Sequence, residues 1–465
     1  MEIRFLGAAR EVTGSCYLIT CNGQQIIVDC GLVQGSRRDE ERNREPFPFN
    51  PARLDAVILT HSHLDHSGRL PLLIKSGFSG LIYTHPASSD LCRIMLKDAA
   101  YINEKEAEWE NRKRDRKHLV PVAPLYTLRD AQAALNNFQP LDYNTVTEIL
   151  PGIKVCLRDA GHILGSAIVE LWLEEQGLQR KLVFSGDLGH RGTPILRDPA
   201  VVHEADLVIL ESTYGDRLHR SWEATWQELA EIFTGSKNQR GNFLIPAFTV
   251  GRTQELLYTF RRFYQDWGMD RWQIFLDSPM AIEATEVYVR HSKLFDDDAL
   301  RVRDSKGDPF ALPNLTLSET AEQSMQINRI TSGAIIIAGS GMCEGGRIKH
   351  HLKHNIWRNE CQVLIVGYQA RNTLGRALVD GAKHIRLWGE TIRVAAKIHT
   401  IGGLSAHADC DGLRDWYLNF NQRPPVALVH GEVEVMEHLA RRLAQDTRQT
   451  IHIPRQGERL DLARL

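Results

Sequence analysis

The 465-residue chain lacks several things, and each lack removes a class of protein. It has no Cys-x-x-Cys pair. Its eight cysteines (Cys16, Cys21, Cys30, Cys92, Cys156, Cys343, Cys361, Cys410) are too few and too scattered for a disulfide scaffold or a thiolate zinc site, so a reduced, cytoplasmic protein is the simplest reading. No apolar run approaches the ~20 residues that span a bilayer, and no membrane partner is expected. Met1 to Arg10 carries Glu2 and Arg4 and has no apolar core of a secretory signal. Charge of one sign is missing too: 56 Lys+Arg stand against 58 Asp+Glu, a net of −2. That balance excludes a globally basic nucleic-acid binder, so any polyanion site must be local. Internal repeats and low-complexity tracts are absent. With 43% hydrophobic and 25% charged residues the chain is ordinary globular material, long enough for two to four domains or one large domain with an insertion.

What is present reads first as strands. Ile3-Arg4-Phe5-Leu6 ends at Gly7, Cys16 to Thr20 ends before Asn22-Gly23, and Gln25 to Val28 ends at Asp29, which suggests a largely antiparallel start. Asp55 to Thr60 is nearly continuous apolar sequence, as expected of a strand buried on both faces. Similar runs recur at Lys181 to Ser185, Leu207 to Leu210, Ala334 to Ala338, Val363 to Val366 and Val426 to Val429. Helical patterns lie between them at Leu91 to Glu110, Trp222 to Phe233 and Thr253 to Tyr264. The result is a layered α/β protein. The mixed charges from Glu104 to Lys117 read as a solvated helix face or exposed loop. Thr213 to His219 and Glu390 to Arg393 are the best candidate boundaries.

The 19 histidines carry the chemistry. Directly after a buried strand comes Thr60-His61-Ser62-His63-Leu64-Asp65-His66-Ser67-Gly68. At a strand end His61 and His63 project to one side, and Asp65 and His66 fall where a helix would begin. Imidazole and carboxylate donors at this corner suit one tetrahedral zinc and part of a second. Further donors stand at strand ends beside glycine: His162 in Gly161-His162-Ile163-Leu164-Gly165, Asp187 after Phe184-Ser185-Gly186, and His430 in Val429-His430-Gly431-Glu432. Alone, each reads equally well as a capped Asp or a hydrogen-bonded His. Their shared pattern of strand, ligand and Gly favours metal.

The set Asp29, His61-x-His63-x-Asp65-His66, His162 and Asp187 resembles the ligand motifs of the metallo-β-lactamase superfamily, in order and with the right flanks. More narrowly the chain is similar to the β-CASP branch of nucleases, which includes the cleavage and polyadenylation nuclease, Integrator's nuclease and the bacterial J-type ribonucleases. That branch is marked by an acidic residue after a strand, a His, and a further His in its RNA-processing members. These fall on Glu211, on His407 in Gly403-Leu404-Ser405-Ala406-His407-Ala408-Asp409, and on His430. The likeness covers essentially the whole chain. It implies an αββα sandwich made of residues 1–211 and 397–465, with an α/β β-CASP domain inserted at 212–396. It also implies two zinc ions per chain: one on His61, His63, His162 and Asp187, the other on Asp65, His66, Asp187 and His430, with Asp29 orienting ligands rather than binding.

The implied reaction is hydrolysis of phosphodiester bonds in single-stranded RNA, with Asp65, Glu211 and His407 in catalytic roles. His407 is the candidate general acid, held by Glu211. A local basic excess supports a phosphate grip: from Ser340 to Arg386 eight Lys/Arg stand against Glu344, Glu360 and Asp380. Gly339-Ser340-Gly341-Met342 and the turn ending at Gly251-Arg252 offer backbone N–H groups to anions. Arg252, Ser340, Gly341, Arg347, Lys349 and Arg371 are therefore the expected RNA contacts. Phe248 and Tyr368 could stack on bases or belong to the core, and the core is the favoured reading. The chain ends soon after His430, without the appended domain of the J-type enzymes, which favours an endonuclease over a 5′–3′ exoribonuclease. A small-molecule metallo-hydrolase of the glyoxalase II kind leaves Glu211, His407 and the insertion unexplained, and a non-catalytic scaffold leaves the complete ligand set unexplained. The sequence leaves a homodimer open.

Overall fold

The computed structural model describes residues 1–236, 240–370, 372–447, 449 and 451–465. The chain folds into two units. The first comprises Met1–Arg191, Asp198–Leu218 and His407–Leu465, and the second comprises Gly192–Arg197 and His219–Ala406.

The first unit is built on two seven-stranded sheets. In one, Cys16–Cys21 pairs antiparallel with Glu2–Gly7 and with Gln24–Val28, and the chain then continues in parallel through Ala56–Ile58, Leu81–Thr84 and Phe138–Pro140. Asn22 and Gly23, both at positive φ, make the tight hairpin turn that their sequence announces. In the other sheet, Ile153–Asp159, Ala167–Glu175 and Leu178–Phe184 form an antiparallel meander, and Leu178–Phe184, Leu207–Glu211 and Val426–Val429 lie side by side in parallel.

Alternation along the strands fixes the layers. Leu182, Phe184 and Ile209 point to the first sheet and pack with Phe5, Ile19, Ile26 and Val28. Their neighbours Val183, Val208 and Leu210 face the other way, onto the helices Cys410–Tyr417 and Val433–Asp446. The outer face of the first sheet is covered in the same way by Leu70–Lys75, Pro86–Asp115 and Leu128–Leu135. The period-two side-chain rule therefore gives helix, sheet, sheet, helix, the expected αββα sandwich.

The second unit carries a six-stranded parallel sheet in the order Leu315–Leu317, Gln273–Leu276, Ala334–Ala338, Phe243–Pro246, Gln362–Ile365, Lys397–Thr400. Ala334–Ala338 is buried throughout, as a strand flanked by helices must be. Lys397–Thr400 pairs with Gln362–Ile365, so the chain rejoins the first unit only at His407. Among the described residues no helix is long and apolar enough to cross a membrane.

Candidate metal centre

The centre lies wholly in the first unit, at strand ends. The neighbouring parallel strands Leu178–Phe184, Leu207–Glu211 and Val426–Val429 deliver Asp187, Glu211 and His430 at their C-terminal ends. Ala56–Ile58 delivers His61 to His66, whose last two ligands sit on the one-turn helix Leu64–Ser67. Two glycines make this possible. A Cβ on Gly31 would lie 1.6 Å from the carbonyl oxygen of Asp65, so only Gly lets that loop close on the ligand turn. Gly186, at φ +55°, turns the chain so that Asp187 points inward. Asp29 and His430 are themselves left-handed, at φ +61° and +54°, a cost that non-glycine residues bear where position matters.

Two donor sets converge. His61 Nε2 and His162 Nε2 each lie 3.2 Å from His63 Nδ1, and 3.4 and 3.5 Å from Asp187 Oδ2. His430 Nε2 lies 3.1 Å from His66 Nε2 and 3.4 Å from Asp65 Oδ2, and Asp187 Oδ1 is 3.3 Å from His66 Nε2. Tetrahedral zinc with donors at about 2.0–2.1 Å sets neighbouring donors roughly 3.3–3.4 Å apart, so both spacings suit a small cation. Asp187 Oδ1 is buried, and apart from the ion-pair contact with His66 it meets no donor in hydrogen-bond geometry, a want that an ion would satisfy.

Protonation agrees. Burial pushes His61 down to about 3, His63 down to about 4 and His162 well below the usual imidazole range, so all three are neutral and able to bind metal. His66 goes the other way. Burial alone would lower it, but Asp187 and Asp29 outweigh burial and raise it well above its ordinary value. A metal at His66 therefore has to displace that proton from Nε2. The residues fit a metal, and the described structure contains a His/Asp metal-binding cluster.

Around the ligands stand groups that aim them. Asp29 accepts from Thr60 N at 2.8 Å and from Thr60 Oγ1 at 2.9 Å, and its Oδ2 lies 2.7 Å from His66 Nδ1. Thr60 Oγ1 is also 3.0 Å from His61 Nδ1, which leaves Nε2 facing the site. Thr213 Oγ1, 3.0 Å from His430 Nδ1, does the same there. Sequence reasoning missed both threonines. Their only signal is adjacency, Thr60 directly before His61 and Thr213 two residues after Glu211.

His407 Nδ1 lies 3.2 Å from Glu211 Oε1 and 3.3 Å from Oε2. Glu211 accepts from Leu188 N at 2.7 Å and Thr213 N at 3.2 Å, which fixes the carboxylate. Burial would lower His407, but Glu211 and Asp187 prevail and push it up to about 9.

The expected RNA contacts belong to the second unit. Arg252 is buried and ion-paired with Glu255, so its charge is spent inside the fold. Arg347 donates to Asp277 Oδ1 at 2.7 Å and to the carbonyls of Ser318 and Glu319. Asp277 is also 2.6 Å from His351 Nε2, making Arg347 part of an interior network. Lys349 reaches the Glu344 carbonyl at 3.2 Å. Ser340 N donates to the Gly345 carbonyl, and Gly341 lies under the ring of Phe248. Arg371 lies outside the described residues. Phe248 and Tyr368 are not core: they are 37% and 50% exposed, because both stand on turns after strands rather than on inward strand positions.

Three family models match the chain: the metallo-beta-lactamase superfamily at residues 9–109, the Beta-Casp domain at 253–378, and the Zn-dependent metallo-hydrolase RNA specificity domain at 391–454. The chain is 38% identical over 444 residues to Ribonuclease TTHA0252 of Thermus thermophilus, covering 96% of each protein. It is 32% identical over 443 residues to Transcription termination factor FttA of Methanocaldococcus jannaschii, covering 93% of this chain and 67% of that one. A crystal structure of a protein of unknown function from Enterococcus faecalis V583 superposes with a TM-score of 0.54 at 13% identity, covering 99% of both, a likeness of fold alone.

Proposed function

The chain belongs to the metallo-β-lactamase superfamily and its β-CASP branch, and from that membership we propose that it is a zinc-dependent ribonuclease that cuts single-stranded RNA endonucleolytically. The observation that carries the reading is the juxtaposition of the donor sets His61, His63, His162, Asp187 and Asp65, His66, His430 with the His407–Glu211 pair. His61, His63, His162 and Asp187 would hold one zinc, and Asp65, His66, Asp187 and His430 the other. When bound, the pair supplies Lewis acidity toward a phosphodiester and an acidified water.

The chain's own groups do the rest. Asp187, reaching both donor sets, sets their separation. Asp29 and Thr60 keep His66 and His61 in the ligating tautomer. His407 carries a proton at neutral pH and can donate it to the leaving ribose oxygen. Glu211 accepts the Nδ1–H of the imidazolium, which leaves the second proton, on Nε2, as the one to donate. The His407–Glu211 pair and the second unit are what a small-molecule hydrolase would not need. Eight free cysteines agree with a reducing, cytoplasmic setting.

The test is incubation of the zinc-loaded protein with one RNA labelled separately at each end. Internal fragments from both labels support the endonuclease, and mononucleotides from the 5′ end would replace it with an exonuclease. No cleavage of any RNA, alongside turnover of S-lactoylglutathione, would replace the ribonuclease with the small-molecule hydrolase. Light scattering on the same protein reads whether it is a homodimer.

A further inference from the structure

A hairpin of the second unit displays a tryptophan in a conformation its side chain disfavours. His384–Leu387 and Glu390–Arg393 pair antiparallel with Leu387 opposite Glu390, so Trp388 and Gly389 form a two-residue turn. Their φ values are +48° and +88°, both left-handed. Such a turn favours Asn-Gly, and a bulky residue at its first position is an outlier. Burial does not compensate, because Trp388 is 54% exposed.

One imidazole and two lysines stand beside it. The helix Ile348–Asn355 places the His350 ring 4.6 Å from the indole, and Lys349 Nζ and Lys353 Nζ 5.6 and 5.9 Å from its centroid. Ile385 and Leu387 anchor the hairpin in one cluster with Ile348 and Leu352. The intervening residues His384 and Arg386, and Arg393 across from His384, are exposed. The acid at this tip, Glu390, is paired with Lys353 at 2.7 Å. An exposed ring among cations matches the recipe for holding an unpaired nucleic-acid strand, in which a base stacks on the ring and the flanking phosphates meet the cations.

We propose that Trp388 is a base-stacking platform for single-stranded RNA, with Lys349 and Lys353, whose ammonium groups stand beside its ring, holding the adjacent phosphates. The proposal rests on the ribonuclease reading and adds a binding site on the second unit. The platform accepts any base, since every base has a stacking face.

The strained turn supplies the test. Trp388→Asn creates the favoured Asn-Gly turn, so a tryptophan kept for function should yield a variant that melts at the same or a higher temperature. In the zinc-loaded full chain, steady-state cleavage of a labelled 20-nucleotide single-stranded RNA should then show KM raised roughly tenfold, the scale of one lost base stack. The loss should fall on KM rather than kcat, and Trp388→Phe should recover most of it. Trp109→Ala, at an equally exposed tryptophan of the first unit, should leave KM alone. An unchanged KM in Trp388→Asn overturns the platform while the ribonuclease reading stands. A lower melting temperature with unchanged KM makes Trp388 a structural residue or a protein-docking one. If the parent hydrolyses bis(p-nitrophenyl) phosphate but neither binds nor cuts RNA, the ribonuclease reading fails and the platform with it.

Discussion

Glu211 and His407, 196 positions apart in sequence, meet at 3.2 Å between Oε1 and Nδ1. The carboxylate is already fixed by two backbone N–H groups, so it acts as a rigid anion behind the imidazole. A proton on His407 is thereby kept up to about pH 9. Activity that needs this proton should be full below that value and fall as pH rises through it. Glu211→Gln removes the anion, so the alkaline limb of the single-turnover rate should move to lower pH. His407→Ala should lower that rate by ~10²–10⁴ at neutral pH with both metal sites filled. Metal analysis on the same samples checks the assignment, and loss of metal from His407→Ala would make His407 a ligand or support.

Asp29 should act on metal without touching it. Its Oδ2 lies 2.7 Å from His66 Nδ1, and Asp29→Asn keeps the shape while removing the charge. Zinc affinity, measured by competition with a chelator, should fall about 10- to 100-fold. His430→Ala removes a nitrogen donor outright and should weaken one site further. Added zinc should partly restore cleavage to both variants and none to His407→Ala. Rescue of all three alike would collapse the distinction between ligand and acid.

Much of this centre was legible in the sequence, because the donors cluster just past apolar strand runs, with glycines close beside His162, Asp187 and His430. Ala334–Ala338 and Val426–Val429 are read to the residue, since strands buried on both faces leave little else to choose. The threonines behind His61 and His430 were not legible, because a hydroxyl carries no signal of its own and its use depends on χ1 and on the neighbour it meets. Arg252 shows another limit. An arginine after a Gly turn reads as an anion contact, and only the fold reveals that it faces inward onto Glu255. Trp388-Gly389 carries no motif. Its meaning comes from a left-handed φ that sequence alone does not display.

Metal should also stabilise the fold. Asp65, Asp187 and the buried imidazoles are gathered at strand ends of both sheets, and an ion bound only by the folded state adds stability by mass action, about 4 kcal/mol at a thousandfold excess over Kd. Calorimetry should show the melting temperature rising with zinc concentration and falling on chelation, with recovery on adding zinc back. Melting that ignores both would mean the donors are held in place by packing alone.

Arg252 and Lys349 should separate structure from binding within the second unit. Arg252 is buried, and burial raises its partner Glu255 above the usual carboxylate range even with the guanidinium beside it. Arg252→Ala leaves that acid buried and unpaired, so it should cost ~3–5 kcal/mol in urea unfolding. The salt dependence of RNA affinity should not change, because no phosphate contact is lost. Lys349 is half-buried beside Trp388, and its ammonium group donates to the Glu344 carbonyl. Lys349→Ala should leave unfolding nearly unaltered and flatten the slope of log affinity against log salt by about one. Measuring both variants by urea melts and by RNA affinity across a salt series gives four values. A flattened slope for Arg252→Ala with stability intact would place its charge at the RNA after all.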